Sequence, residues 1–116
     1  MNIVQNFRWS LPIAVLVLAS STVHAAPVSV KDDLGNTVSL PAPATRIVTL
    51  SPSVVEVTYA AGAGDRIVGT VEYSDFPPPA QQIPRVGGHS KINLEAVVAA
   101  KPDLVIAWES GNSPSA

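Results

Sequence analysis

The sequence predicts an α/β fold: a Rossmann-like parallel sheet flanked by helices and preceded by a β-hairpin. Two segments carry that expectation. From Arg46 to Thr70 a β-branched strand, an apolar helix and a second strand follow one another, and from Asn93 to Ala107 a capped helix leads through a proline into a third strand. The resulting order, strand, helix, strand, loop, helix, strand, requires crossovers. These run right-handed and leave the strands parallel.

Residues 1–25 stand outside this pattern and read as a secretory signal peptide. Arg8 supplies a positive start, Leu11 to Ala19 is apolar apart from Pro12, and Val23-His24-Ala25 suits a cut after Ala25. The apolar core is short for a membrane span. The expected product is a soluble, exported chain of residues 26–116. With Arg8 removed, its formal charge moves from −2 to −3.

Val28 and Val30 alternate with polar residues, as do Val38 and Leu40, and Asp33-Leu34-Gly35-Asn36 between them offers turn chemistry, so a hairpin is expected. Pro41 and Pro43 mark a connector. Arg46–Leu50 (RIVTL) is the first parallel strand. Ser51 and Pro52 are cap and first helical residue, Val54 to Ala61 continues the helix, and Gly62 or Gly64 ends it. Arg66–Thr70 (RIVGT) is the second strand. The Pro- and Gly-rich stretch from Ser74 to Gly88 is long for a connection in a compact domain, which suits a functional loop. Asn93 caps a helix whose apolar face is Leu94, Val97 and Val98. Pro102 stops it, and Leu104 to Ala107 is an apolar run suited to a strand covered on both faces. A strand of this type leads into a further crossover, so the chain reads as cut short.

The composition excludes several classes. The absence of cysteine rules out disulfides, thiolate metal sites and iron–sulfur ligation. No basic stripe suggests nucleic acid. No dinucleotide fingerprint is formed by Gly62, Gly64 and Gly69, no G-x-S-x-G surrounds Ser51, and His89 is the sole histidine after residue 25. The reading is therefore of a protein that is not an enzyme, with no metal centre and no prosthetic group.

The residues that suggest binding are aromatic and polar groups after strands. Ligands of open α/β sheets lie beyond the carboxyl ends of the strands. Tyr73 and Trp108 fall there, and flat rings provide contact area at low entropic cost. Phe76, before Pro77-Pro78-Pro79, reads as a packing residue. His89, after Gly87-Gly88, reads either as a ligand contact or as a surface histidine on an exposed turn, and a neutral imidazole there is also able to ligate cobalt or iron.

VTLSPSVVEVTYAAGAGDRIVG, VEYSDFPPPAQQIPRVGG and NLEAVVAAKPDLVIAWESGN, together with the preceding DDLGNTVSLPAPATRIV, resemble the periplasmic substrate-binding proteins of ABC importers that carry iron-siderophores, haem or cobalamin. The resemblance covers nearly all of residues 28–112, and YSDFPP and VIAWESGN are most similar to the cobalamin branch. It implies a two-lobe, helix-linked fold with the ligand between the lobes, of which residues 26–116 form an incomplete N-terminal lobe. It implies cobalamin or a related corrinoid as transported ligand, with haem or a ferric siderophore as the alternative. It further implies permease subunits at the inner membrane as partners, and a monomer when full length. Tyr73 and Trp108 match cleft residues of the cobalamin branch, and Glu95 matches the glutamate that docks on permease arginines. His89 departs from the pattern, which tends to tryptophan there, while haem binders place an iron-ligating tyrosine in that loop. Arg85 and Lys91 are the only basic residues expected near the cleft. A secreted α/β enzyme lacks its residues here, and a stand-alone interaction domain leaves the aromatic loop positions unexplained.

Overall fold

The computed structural model describes residues 25–88 and 91–112. Strands β1 (Val28–Lys31) and β2 (Thr37–Leu40) pair antiparallel, with Val28 opposite Leu40 and Lys31 opposite Thr37. Their turn is fixed by Asp32. One carboxylate oxygen accepts from the backbone N–H of Leu34 (3.0 Å) and of Asn36 (2.7 Å), and the other accepts from Asn36 Nδ2 (3.1 Å). The Asn36 side-chain contact is the largest influence holding the Asp32 carboxyl below its ordinary pKa. A side-chain acceptor of this kind replaces a backbone turn bond, and Gly35 takes the left-handed φ of 81° that follows.

The parallel sheet comprises β3 (Ile47–Thr49), β4 (Ile67–Gly69) and β5 (Leu104–Ile106), in the order β4-β3-β5. Helix α1 (Pro52–Ala60) joins β3 to β4, and α2 (Leu94–Ala99) precedes β5. Alternation along the strands divides the core in two. Val48, Leu50, Val71 and Val86 form one cluster, packed by Val68, Ile92, Ala96, Val97 and Ala100 from the α2 side. Val55, Ile67, Ala80 and Ile83 form the other, with Tyr59 of α1. The helices therefore cover opposite faces, and β3 and β4 send their following helices to different sides of the sheet. A crevice at the carboxyl ends of the strands is the geometric consequence.

The helix ends follow from residue chemistry. Pro52 occupies the first turn of α1. Ser51 stands at the N-cap, but its hydroxyl pairs with Ser53 Oγ (2.8 Å) and makes no capping bond. At the other end Ala63 N donates to Thr58 O (3.0 Å) and Gly62 N to Tyr59 O (2.9 Å), with Gly62 at φ 80°. This double closure needs a residue tolerant of the left-handed region. Asn93 caps α2 as expected, accepting from Ala96 N at 3.1 Å.

Two expectations are corrected on α2 and β5. The residues that meet the core are Ala96 and Val97 of α2 and its C-cap Ala100, while Leu94 and Val98 are 56% and 73% exposed. The positions chosen from spacing share Val97 with the true face but straddle it, because a six-residue helix offers too few turns to define an apolar stripe. Likewise β5 is not covered on both faces among the described residues, since Val105 is 44% exposed.

A polar clasp ties the start of β3 to the end of α2. Asp103 accepts from Thr45 N (2.8 Å), Thr45 Oγ1 (2.9 Å) and Arg46 N (2.9 Å). Arg46 Nε donates to the carbonyls of Ala100 and Lys101 (3.1 Å each), and Nη2 to Ala100 O (2.7 Å), satisfying carbonyls that the end of a helix leaves open. The Thr45 and Arg46 backbone donors hold the Asp103 carboxyl below its ordinary pKa. A depressed carboxylate contributes stability that is present above its unfolded value of about 3.9 and lost as pH falls through the lower folded value. Acid titration of unfolding free energy is therefore expected to be shallower below about pH 4 for Asp103→Asn than for the parent, and parallel curves would show that the clasp adds no pH dependence.

Candidate functional site

The carboxyl end of the sheet begins with a buried hydroxyl chain. Thr49 Oγ1 donates to Thr70 Oγ1 (2.9 Å), and Thr70 Oγ1 meets Ser74 Oγ (2.9 Å), all three residues being buried. Each buried hydroxyl has a partner, so burial carries no unsatisfied polar group. The chain anchors the segment after β4 to the central strand.

Tyr73 stands immediately before that anchor. Its neighbours are both held: Glu72 N donates to Gly87 O (2.9 Å), and Ser74 is bonded as above. Between them Tyr73 takes a left-handed φ of 64°, with 79% of its surface exposed. A bulky non-glycine residue in that region costs on the order of 1–3 kcal/mol. No burial of the ring offsets this cost among the described residues.

Arg85 fixes the rest of the loop. Nη1 donates to the carbonyls of Ala80 (3.0 Å) and Ile83 (3.1 Å), and Nη2 to Ser74 O (3.1 Å) and Asp75 Oδ1 (3.2 Å). The guanidinium is thus committed to the loop that carries Tyr73 and Phe76. The sequence reading placed Arg85 as a basic residue near the cleft, whereas its donors are taken up internally. Phe76, read as a packing residue, is 64% exposed and is corrected to a surface aromatic.

Trp108 follows β5 at the same edge and is 49% exposed. Of the aromatic residues described, Tyr59 packs in the core, and Tyr73, Phe76 and Trp108 all face outward at loops beyond the strands. Neighbouring strands lie about 4.8 Å apart, so β4 and β5, flanking β3, are about 10 Å apart. Tyr73 and Trp108 thus follow the two strands that flank the central strand. Beside Trp108, a concavity of about 390 Å³ is lined by Ala107 to Ser110 and by the hairpin turn Asp32, Asp33 and Leu34. The hairpin's participation was missed by sequence reasoning, because nothing local indicates that residues about 75 positions apart adjoin.

His89 lies outside the described residues. On either side of it, Gly88 N donates to Lys91 O (3.0 Å), and Gly87 pairs with Ile92 in an antiparallel bridge. Gly87 and Gly88, which precede it, are half-buried. Glu95 occupies the first turn of α2, exposed and without an ion pair among the described residues. It borders an exposed apolar patch formed with Leu94, Val98 and Ala99. No cluster of three metal-ligating side chains occurs among the described residues, and no helix described is long and apolar enough to cross a membrane.

Residues 47–115 match the family model described as periplasmic binding protein. The chain belongs to that family. It is similar to the vitamin B12-binding protein of Vibrio cholerae, 51% identical over 74 residues, a stretch covering 64% of this chain and 27% of that protein. The vitamin B12-binding protein of Photorhabdus laumondii is 45% identical over 74 residues, with the same coverage. The chain therefore spans about a quarter of the length of these relatives. Among solved structures, the periplasmic vitamin B12-binding protein of Vibrio cholerae superposes with a TM-score of 0.61 at 51% identity, covering 63% of this chain and 29% of the other. The haem-binding protein HmuT superposes with a TM-score of 0.64 at 28% identity, over 98% and 36%. A periplasmic haem-binding protein of Pseudomonas aeruginosa gives 0.58 at 30% identity, over 62% and 26%. These proteins share the α/β architecture with its parallel sheet, and the comparisons point to binding proteins rather than enzymes.

Proposed function

We propose that the chain supplies one wall of the ligand cleft in a substrate-binding component of an ABC importer for cobalamin or a related corrinoid. The carrying observation is the exposed aromatic edge: Tyr73, strained and uncovered, and Trp108, half-open, on either side of β3. Rings displayed in this way suit the face or rim of a large flat macrocycle. The 51% identity to a vitamin B12-binding protein favours a corrinoid over other macrocycles.

Charge favours this reading over haem or a ferric siderophore, the second reading, which the haem-binding structural relatives keep in view. Anionic ligands call for free cations. Arg85 is committed internally and paired with Asp75; Glu72 and Glu109 stand exposed at the same edge, and Lys91 remains as an exposed basic residue beside it. His89 is assigned to ligand contact, either through an edge contact or hydrogen bond or by axial coordination where the metal offers an open position. Residues 26–116 form part of the N-terminal lobe of a two-lobe protein. It acts as a monomer in the periplasm, and Glu95 contributes to permease docking.

Titration calorimetry of the complete gene product with cyanocobalamin, haemin and a ferric hydroxamate tests the assignment. Tight binding of cyanocobalamin alone is expected. Saturable binding of haemin or the siderophore without binding of cyanocobalamin would transfer the function to the second reading. Export is tested separately: intact-mass analysis of a periplasmic extract is expected to give a chain beginning Ala26-Pro27, and a product retaining Met1 would remove the signal-peptide assignment.

A further inference from the structure

Asn112 was read from the sequence only as the end of a segment, yet it makes the longest-range side-chain bond at the aromatic edge. The chain leaves β5 at Ala107 and turns back on itself. Trp108 N donates to Asn112 Oδ1 (2.7 Å), while Trp108 O accepts from Gly111 N (3.1 Å) and Asn112 N (2.9 Å). The same side chain reaches across the sheet, where Asn112 Nδ2 donates to Leu50 O (2.8 Å) at the end of the central strand. Leu50 N in turn donates to Ile106 O (2.9 Å). A carboxamide is needed here, because one end must accept from a backbone N–H while the other donates to a carbonyl.

Gly111 controls the ring as Asn112 controls the backbone. A Cβ built on Gly111 would collide with the six-membered ring of the Trp108 indole, so the ring lies directly over the glycine. Backbone and ring of Trp108 are thus both fixed within five residues, and through Leu50 they are referenced to β3, the strand between the two aromatic positions.

We propose that Asn112 is a positioning residue for Trp108, acting with Gly111 as a latch that holds the indole ready for a corrinoid ligand. The proposal rests on the corrinoid reading above for its ligand. Holding a ring in its binding orientation before the ligand arrives removes an ordering cost from association. Asn112 acts through Trp108, so its effect vanishes when the indole is absent.

A double-mutant cycle in the complete gene product tests this. Asn112→Ala lowers cyanocobalamin affinity roughly 3- to 30-fold in the parent background, and by less than about 2-fold in the Trp108→Ala background. Asn112→Asp keeps the acceptor but sets a carboxylate against Leu50 O, and loses as much as Asn112→Ala. Gly111→Ala displaces the ring without removing an amide hydrogen bond and gives the same cycle should Asn112→Ala fold poorly. Equal losses in the two backgrounds, or no loss in the first, overturn the proposal. A ligand-free readout keeps the latch apart from the corrinoid assignment. With 5-fluorotryptophan incorporated, the ¹⁹F resonance that disappears in Trp108→Phe shifts or broadens in Asn112→Ala. If the parent takes up no cyanocobalamin, the corrinoid reading fails and this resonance decides the latch alone. An unmoved resonance overturns it.

Discussion

Trp108→Ala and Tyr73→Ala are each expected to lower corrinoid affinity by roughly 5- to 150-fold, the equivalent of about 1 to 3 kcal/mol for a lost aromatic contact at a ligand face. The two rings differ in what else they do. Trp108 rests over Gly111 and is half-covered, so its removal also loosens the turn after β5. Tyr73 is nearly free of the fold: 79% exposed, with a φ of 64° that glycine adopts without strain. Tyr73→Gly therefore separates binding from stability. It is expected to lower affinity like Tyr73→Ala while leaving the denaturant midpoint unchanged or raised, because a strained residue whose ring buries little is being replaced by one that fits the backbone. A packing role predicts the reverse, with a lowered midpoint and unchanged affinity. Calorimetry paired with urea unfolding on each variant distinguishes the two, and unchanged affinity in both alanine variants would remove these residues from the site.

The contrast between Tyr73 and Asn112 shows what the sequence could express. Strand, helix and hairpin positions were legible because β-branched runs, Asn93, Pro52, Gly62 and the Asp33–Asn36 turn act through local chemistry at fixed spacing. The exposed loop positions of Tyr73 and Trp108 were legible for the same reason, since each follows a recognisable strand. What was not legible depends on contacts distant in sequence. Asn112 bonds to a carbonyl 62 residues away, and the turn of the β1-β2 hairpin adjoins the Trp108 loop. Arg85 looked available as a cation, because its acceptors include carbonyls, which any residue offers and no composition reveals. The α2 face was misread because helical spacing defines an apolar stripe only over several turns. In a six-residue helix only Ala96 and Val97 meet the core, joined by the C-cap Ala100, and Leu94 and Val98 are left outside.

Those two exposed residues frame the second large effect. Glu95→Ala is expected to reduce cobalamin uptake by cells at least about 10-fold while changing ligand affinity by less than about 2-fold. Truncating one partner of a charge pair that becomes buried in a complex costs about 2 to 5 kcal/mol, mostly through faster dissociation. Glu95 has the features such a contact needs. It is exposed, makes no ion pair among the described residues, and stands beside the exposed apolar patch of Leu94, Val98 and Ala99, which would exclude water around the pair once covered by a partner. A carboxylate in the first turn is also favoured by the helix dipole, but that contribution is worth only about 0.3 to 1 kcal/mol and is lost equally in Glu95→Gln. Charge reversal supplies the discriminating variant. Under the docking role proposed above, Glu95→Arg adds repulsion at the permease and is expected to abolish uptake, whereas a purely stabilising role predicts a modest loss of helix stability with uptake retained. Measuring radiolabelled cyanocobalamin uptake beside calorimetry of the purified variants decides between them. Parallel loss of uptake and ligand affinity would place Glu95 in the binding site instead of at the docking surface.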